Sequence, residues 1–363
     1  RCVGVGRQDG CDTARIYRLK PWRYGTKQFL FASTWTSLNV YDITSPTSPP
    51  TAQLILPANQ PWGQTPPTTD WDELQWDAAV ADDYDYGIAM FQHYGWVSFK
   101  INNPTSPTGF TLKKAVRFAS PDSGFRPTYA RLFRGADGQW YAAGSYLNGT
   151  SSAVAIVSMG ADASNPQVVK TFVSTEVGST SELESAEIGG QWWLFAKRTN
   201  GVAIFNVANP ANAFEVAALP PAVDFFVDAA SARLYLLDAA TPQRIRVVDI
   251  ANPAAPVERS LISLQVGSYV GVAGDGNVVV AAKRSPEYDP VPHMQAFSVV
   301  DPATPVEVAA GELNLSAHPD ELLADLAVLG ASDGNARIYR AAYSIGSVTT
   351  LSATCFPDPP RLA

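Results

Sequence analysis

Two indoles and three carboxylates crowd into one proline-rich run of the chain, residues 57–73, which contains no leucine. Trp62, Asp70, Trp71, Asp72 and Glu73 lie within it, and Trp76 follows. An indole offers a flat apolar face to the C–H side of a sugar ring while carboxylates accept from its hydroxyls, so this mixture suits carbohydrate binding. The same rings would equally serve to pin a long loop to the body of a fold. His93, Tyr94 and Trp96 form a second aromatic group, and Ser33, Thr34 and Trp35 a third. Basic pairs recur as Ala196-Lys197-Arg198 and Ala282-Lys283-Arg284, and Arg126 and Tyr288 fall in comparable stretches. These groups suit an anionic or sugar ligand, or a solvated rim of exposed ion pairs, which add little stability.

Catalytic and metal chemistry has thinner support. A pair of carboxylates for glycoside cleavage is available among Asp70, Asp72, Glu182 and Glu184, but their separation decides that reaction. The three histidines, at 93, 293 and 318, have no ligand spacing. Asp82-Asp83-Tyr84-Asp85 has the carboxylate density of a calcium loop or of a solvated acidic hairpin. Neither His-Glu-x-x-His nor Gly-x-Ser-x-Gly occurs. No catalytic residue, metal or cofactor is therefore assigned, and binding is expected rather than catalysis.

The elements that must position these residues are announced by a repeated phrase, an apolar run stepping into Asn/Asp/Ser-Pro. It occurs as Val40-Tyr41-Asp42-Ile43-Thr44-Ser45-Pro46, Phe99-Lys100-Ile101-Asn102-Asn103-Pro104, Phe205-Asn206-Val207-Ala208-Asn209-Pro210, Val248-Asp249-Ile250-Ala251-Asn252-Pro253 and Ser298-Val299-Val300-Asp301-Pro302, with a looser copy ending at Asn165-Pro166. Repeats of roughly 40 to 60 residues mark propellers and solenoids. Each repeat reads as four strands, for example 222–227, 233–237, 244–250 and 257–264. Their near-continuous apolar content fits strands covered on both faces. Tight turns such as Asp137-Gly138, Gly189-Gly190, Asp275-Gly276 and Asp333-Gly334 fall between the first and second strands. The signature prolines fall between the third and fourth, where a missing N–H is tolerated.

Counting repeats predicts an all-β, seven-bladed β-propeller of four-stranded antiparallel blades, one domain over 1–363. Residues 1–12 are expected to close the ring with the terminal blade, whose fourth strand comes from the N-terminus or from the tail 356–363. In this plan the short turns and the signature lie on one face. The long connections 57–73, 120–126, 174–185, 283–293 and 314–321 lie on the other. Long loops in compact folds usually carry function. The expected binding surface is thus the long-loop face, with Trp62, Trp71, Asp72, Glu73, His93, Trp96, Arg126, Lys197, Arg198, Lys283, Arg284 and Tyr288.

The run Val247-Val248-Asp249-Ile250-Ala251-Asn252-Pro253-Ala254-Ala255-Pro256-Val257 resembles the LVIVD repeat of bacterial and archaeal surface proteins. The resemblance implies a propeller in an extracytoplasmic setting and brings no catalytic residues with it. Cys2, Cys11 and Cys355 stand only at the ends of the 363-residue chain. A disulfide from Cys355 to Cys2 or Cys11 would staple a closed ring, with a local Cys2–Cys11 loop or free thiols as alternatives; such a bridge needs an oxidising compartment. The start at Arg1 fits a mature form with its leader removed, or a truncated piece. A net charge of −8 argues against nucleic-acid partners, and no apolar stretch reaches membrane-spanning length. The expected function is a secreted or surface-attached propeller, extracellular or periplasmic, that binds a protein or glycan without catalysis. The alternatives are a self-associating structural subunit of an extracellular assembly and a carbohydrate-active hydrolase or lyase.

Overall fold

The computed structural model describes residues 18–33, 37–42, 52–55, 75–82, 84–91, 95–104, 109–116, 125–148, 151–173, 182–274, 276–283, 294–311, 317–323, 326–331, 336–344 and 347–355. The described residues form seven four-stranded antiparallel sheets, each with its strands in sequence order. The sheets span 18–55, 75–116, 125–172, 182–219, 222–263, 269–311 and 317–355, and are numbered one to seven. The chain groups into two compact units, one of residues 1–183, 207–213 and 356–363, the other of residues 184–206 and 214–355.

Burial within a sheet follows strand position. The third strand of sheet four, Gly201–Asn206, and the second strand of sheet five, Arg233–Asp238, are buried almost without interruption. The fourth strand of sheet five, Val257–Ser263, is mostly exposed and correspondingly polar. In the first unit, Ile88, Met90 and Trp96 of sheet two pack with Leu132, Ala142 and Val157 of sheet three. Trp96 is completely buried. Gly144 makes room for it: a Cβ added there would lie 2.0 Å from Trp96 Cζ2. In the second unit, Tyr235, Leu237 and Val247 of sheet five pack with Tyr269, Val272 and Val279 of sheet six.

The proline signature acts as a latch. The last apolar residue of the third strand is fully or almost fully buried, as at Ile101, Met159, Ile250 and Val299. Its N–H returns to a carbonyl near the start of the second strand: Ile101 to Asp85 (2.7 Å), Met159 to Trp140 (3.0 Å), Ile250 to Ala232 (2.8 Å) and Val299 to Asn277 (2.7 Å). The polar residues beside these anchors then cap the turn. Asp249 Oδ1 accepts from Ala251 N at 2.9 Å, Asn252 Oδ1 from Ala254 N at 3.2 Å, and Asp301 Oδ1 from Ala303 N at 2.9 Å. Asx side chains favour such turns because they supply an acceptor two residues ahead. The rings of Pro104, Pro166, Pro210 and Pro253 are buried beneath them.

These caps make the fold acid-sensitive. The N–H of Ala251 and the guanidinium of Arg259 hold Asp249 below the usual carboxylate value of 3.8. Asp301 is lowered by the Thr304 hydroxyl and the Ala303 N–H, and Asp162 by the hydroxyl and N–H of Ser164. A carboxyl whose folded pKa lies below its unfolded value stabilises the fold at neutral pH and ceases to as pH falls through the folded pKa. Urea midpoints should therefore be flat near neutrality and fall below the ordinary carboxylate range. Asp249→Ala is expected to cost about 1 kcal/mol at neutral pH and nothing once the carboxyls are protonated. An equal cost at both extremes would show that the cap works through packing instead.

Two expectations are corrected by the strand order. The seventh sheet takes its fourth strand, Ser347–Cys355, from its own repeat, so neither the N-terminus nor the tail supplies it. Residues 317–321, expected in a connection, belong to the strand Ala317–Leu323.

Candidate binding surface

The link between sheets five and six, residues 264–268, lies at the sheet end opposite the signature. Glutamine amides fasten it on both sides. Gln243 uses both ends of its amide on one backbone unit: Oε1 accepts from Tyr269 N at 2.6 Å and Nε2 donates to Tyr269 O at 2.9 Å. Gln295, only 1% exposed, accepts on Oε1 from Gln265 N at 2.9 Å and from the Tyr269 hydroxyl. Its Nε2 donates to Glu307 Oε1 at 3.3 Å. Leu264 N donates to Gln243 O at 3.4 Å, and its side chain is anchored in the core between the two sheets. Between these ties Val266 projects with 87% of its surface exposed, the highest value among the large apolar side chains described. An apolar side chain on a tied-down link is the kind of group that contributes to association, because the ordering cost of the link has already been met in the free protein.

The basic pair Lys197 and Arg198 lies at the same end of sheet four, at the close of the strand Gln191–Arg198. Lys197 Nζ donates to Val223 O of sheet five at 2.6 Å. Arg198 grips both oxygens of Glu215, at 2.9 and 2.5 Å. The pair thus ties strands and sheets together rather than standing open for an anion. Asp238 accepts from Ala240 N at 2.9 Å and from Arg246 Nη2 at 2.7 Å, and Arg246 Nη1 reaches Glu258 at 2.7 Å. Burial pushes the Asp238 carboxyl up, but the Ala240 N–H and Arg246 outweigh it and the net shift is downward.

Trp96 must be removed from the expected surface. It stands in the strand Gly95–Ile101 and is 0% exposed, because its ring fills the space over Gly144. Glu182 and Glu184 lie in the strand Glu182–Ile188 instead of a loop, and Glu182 is buried. Arg126 falls within the strand Phe125–Arg134, Lys283 ends Val278–Lys283 and Cys355 ends Ser347–Cys355. Trp62, Trp71, Asp72, Glu73, His93, Arg284, Tyr288, Cys2 and Cys11 lie outside the described residues. Among the described residues no group of three or more His, Cys, Asp or Glu side chains is placed to hold a metal.

A cavity of about 330 Å³ opens at the signature end of sheets five and six, lined by Ser231, Arg233, Asp249, Arg259, Pro302 and Ala303. Its polar groups are engaged with one another or with backbone. Arg233 Nη1 donates to Gly276 O at 2.6 Å and Val299 O at 2.5 Å, Arg259 pairs with Asp249 at 2.5 Å, and Ser231 donates to Asp228. The arrangement binds one sheet to the next.

No family model matches the chain, and no curated protein matches it. Solved structures do. The periplasmic gluconolactonase of Pseudomonas aeruginosa superposes with a TM-score of 0.61 at 14% identity, covering 92% of this chain and 98% of that one. A functionally unknown protein from Desulfotomaculum acetoxidans gives 0.58 at 13% identity over 89% of this chain and 97% of that one. A β-propeller domain from Myceliophteria thermophila gives 0.58 at 13% over 86% and 94%. Likeness at such identities shows the fold alone: an all-β chain with the architecture of a β-propeller.

Proposed function

We propose that this chain is a non-catalytic binding propeller that engages a protein partner through the connections opposite the proline signature. Its seven sheets are then the blades of one ring, and its setting is extracytoplasmic, as the likeness of residues 247–257 to the LVIVD repeat implies. The observation that carries the reading is Val266, held out at 87% exposure on a link tied down by Gln243 and Gln295. An exposed aliphatic side chain has little to offer a sugar and fits a pocket on a protein. The polar groups of the described cavity support a binding role over catalysis, since they are spent on neighbouring backbone and on each other.

A photo-activatable residue at position 266 is expected to trap a protein on the surface of the source cells. The same probe at position 300, where Val300 is 65% exposed at the signature end, is expected to trap none. Val266→Asp should weaken binding to the trapped partner by about tenfold or more with no change in the unfolding midpoint. Equal trapping at both positions, or binding that Val266→Asp leaves untouched, overturns the reading.

A further inference from the structure

Arg134 differs from the other arginines whose side chains are described. Arg23, Arg198, Arg244, Arg246 and Arg259 each reach a carboxylate, while Arg131 and Arg233 donate to backbone carbonyls, and Arg131 also lies 5.8 Å from the centroid of the Tyr129 ring. Arg134 instead lays its guanidinium over the ring of Trp140, 4.8 Å from the centroid, and the residue is exposed. The two are directly paired across the hairpin of sheet three. Trp140 in turn stacks on Tyr84 of sheet two at 4.5 Å and 23°, and Tyr84 meets Tyr86 at 5.5 Å. Next to Tyr84 in sequence, Asp85 accepts the hydroxyl of Tyr24 from sheet one. All of these groups belong to the first unit, at the ends of its sheets where first and second strands connect.

A guanidinium lying flat on an indole is held in one orientation, yet its N–H groups remain available at the edge. Those coplanar donors match the two oxygens of a carboxylate, and little ordering remains to be done on binding. The local charge narrows the ligand further. Asp85 directly follows Tyr84, whose ring stacks on Trp140, so a carboxylate stands at the same end of sheet two. A singly charged oxyanion is favoured there over a doubly charged phosphate. The half-buried rings of Tyr84, Tyr86 and Trp140 provide apolar edges beside polar groups, which suits a pyranose with its C–H faces and hydroxyls. Asp85 retains lone pairs for those hydroxyls, which a run of acidic peptide side chains does not offer.

We propose that Arg134, Trp140, Tyr84 and Asp85 form a subsite for a carboxylate-bearing sugar, a uronic acid unit within an oligosaccharide. The subsite uses different residues from the surface around Val266 and is independent of it. The test is calorimetric titration of the whole protein with trigalacturonate, with its methyl ester, and with a glutamate tripeptide. Trigalacturonate is expected to bind, and the ester and the peptide about tenfold more weakly or less. Arg134→Ala should weaken trigalacturonate about tenfold. Arg134→Lys, which keeps the charge and loses the planar fork, should recover only part of that loss. Circular dichroism is expected to be unchanged in both variants because the residue is exposed. Equal affinity for acid and ester, full affinity in Arg134→Ala, preference for the peptide, or no binding by the wild type at about 1 mM ligand each overturns the proposal.

Discussion

Trp96→Ala should lower the unfolding free energy by about 3–5 kcal/mol, the cost of emptying a large aromatic site in a packed core. The indole is fully buried where sheets two and three meet, among Met90, Leu132, Ala142 and Val157. Gly144 passes so close beneath it that neither the ring nor the backbone has slack. The converse substitution is therefore also damaging. Gly144→Ala would place a methyl 2.0 Å from Trp96 Cζ2 and 2.5 Å from Cη2, well inside contact distance, and overpacking of this kind costs about 1–3 kcal/mol. Combining the two should cost less than the sum, since the alanine methyl would enter space the indole had left. Urea unfolding of the three variants checks the claim, and strict additivity would show that the two positions do not share a cavity.

Gln295→Leu should cost about 2–4 kcal/mol, because two groups lose their acceptor where water does not reach easily. Those groups are the Gln265 N–H and the Tyr269 hydroxyl, both bonded to Gln295 Oε1. The local consequence is as telling as the global one. Without the amide the link loses its tie on one side of Val266, and hydrogen exchange at Gln265 and Tyr269 should accelerate more than at the core strand Arg233–Asp238. Adding Tyr269→Phe removes the stranded hydroxyl and should restore part of the stability, while partner binding through Val266 stays weakened. A variant that loses under about 1 kcal/mol would mean that water or a neighbouring side chain takes over the amide's role.

Much of the strand plan was legible in the residues. The residues of the repeat at 222–264 predict strands 222–227, 233–237, 244–250 and 257–264, and the structure has Ala222–Asp228, Arg233–Asp238, Arg244–Asp249 and Val257–Ser263. Apolar runs broken by turn residues carry that information locally. Trp96 misled because its neighbours His93 and Tyr94 suggested an aromatic rim, whereas burial depends on the gap that Gly144 leaves some fifty residues away. Residues 317–321 misled for another reason. A proline among polar residues reads as a connection, but here the register shifts between Pro319 and Glu321, and an irregularity of this kind accommodates a residue without an N–H. The glutamine clamp could have been suspected only at Gln295, the one amide side chain in the short stretch Met294–Ser298. Its partner Gln243 carries no signal before the fold is known. Arg134 and Trp140 were equally silent, because their pairing across a hairpin and the stack on Tyr84 are matters of geometry.

The order of strands within each sheet also bears on how the molecule is made. Every described sheet draws its four strands from one contiguous stretch, the seventh included. Hydrogen-bonded pairing therefore needs only neighbours a few tens of residues apart, which keeps the entropy lost in closing each loop small. During synthesis a sheet can pair as soon as its own stretch has left the ribosome, with no strand waiting for a distant partner. What must wait is the apolar packing between sheets, such as Trp96 against sheet three, so the interval between one sheet's emergence and the next is when the nascent chain is most exposed to aggregation.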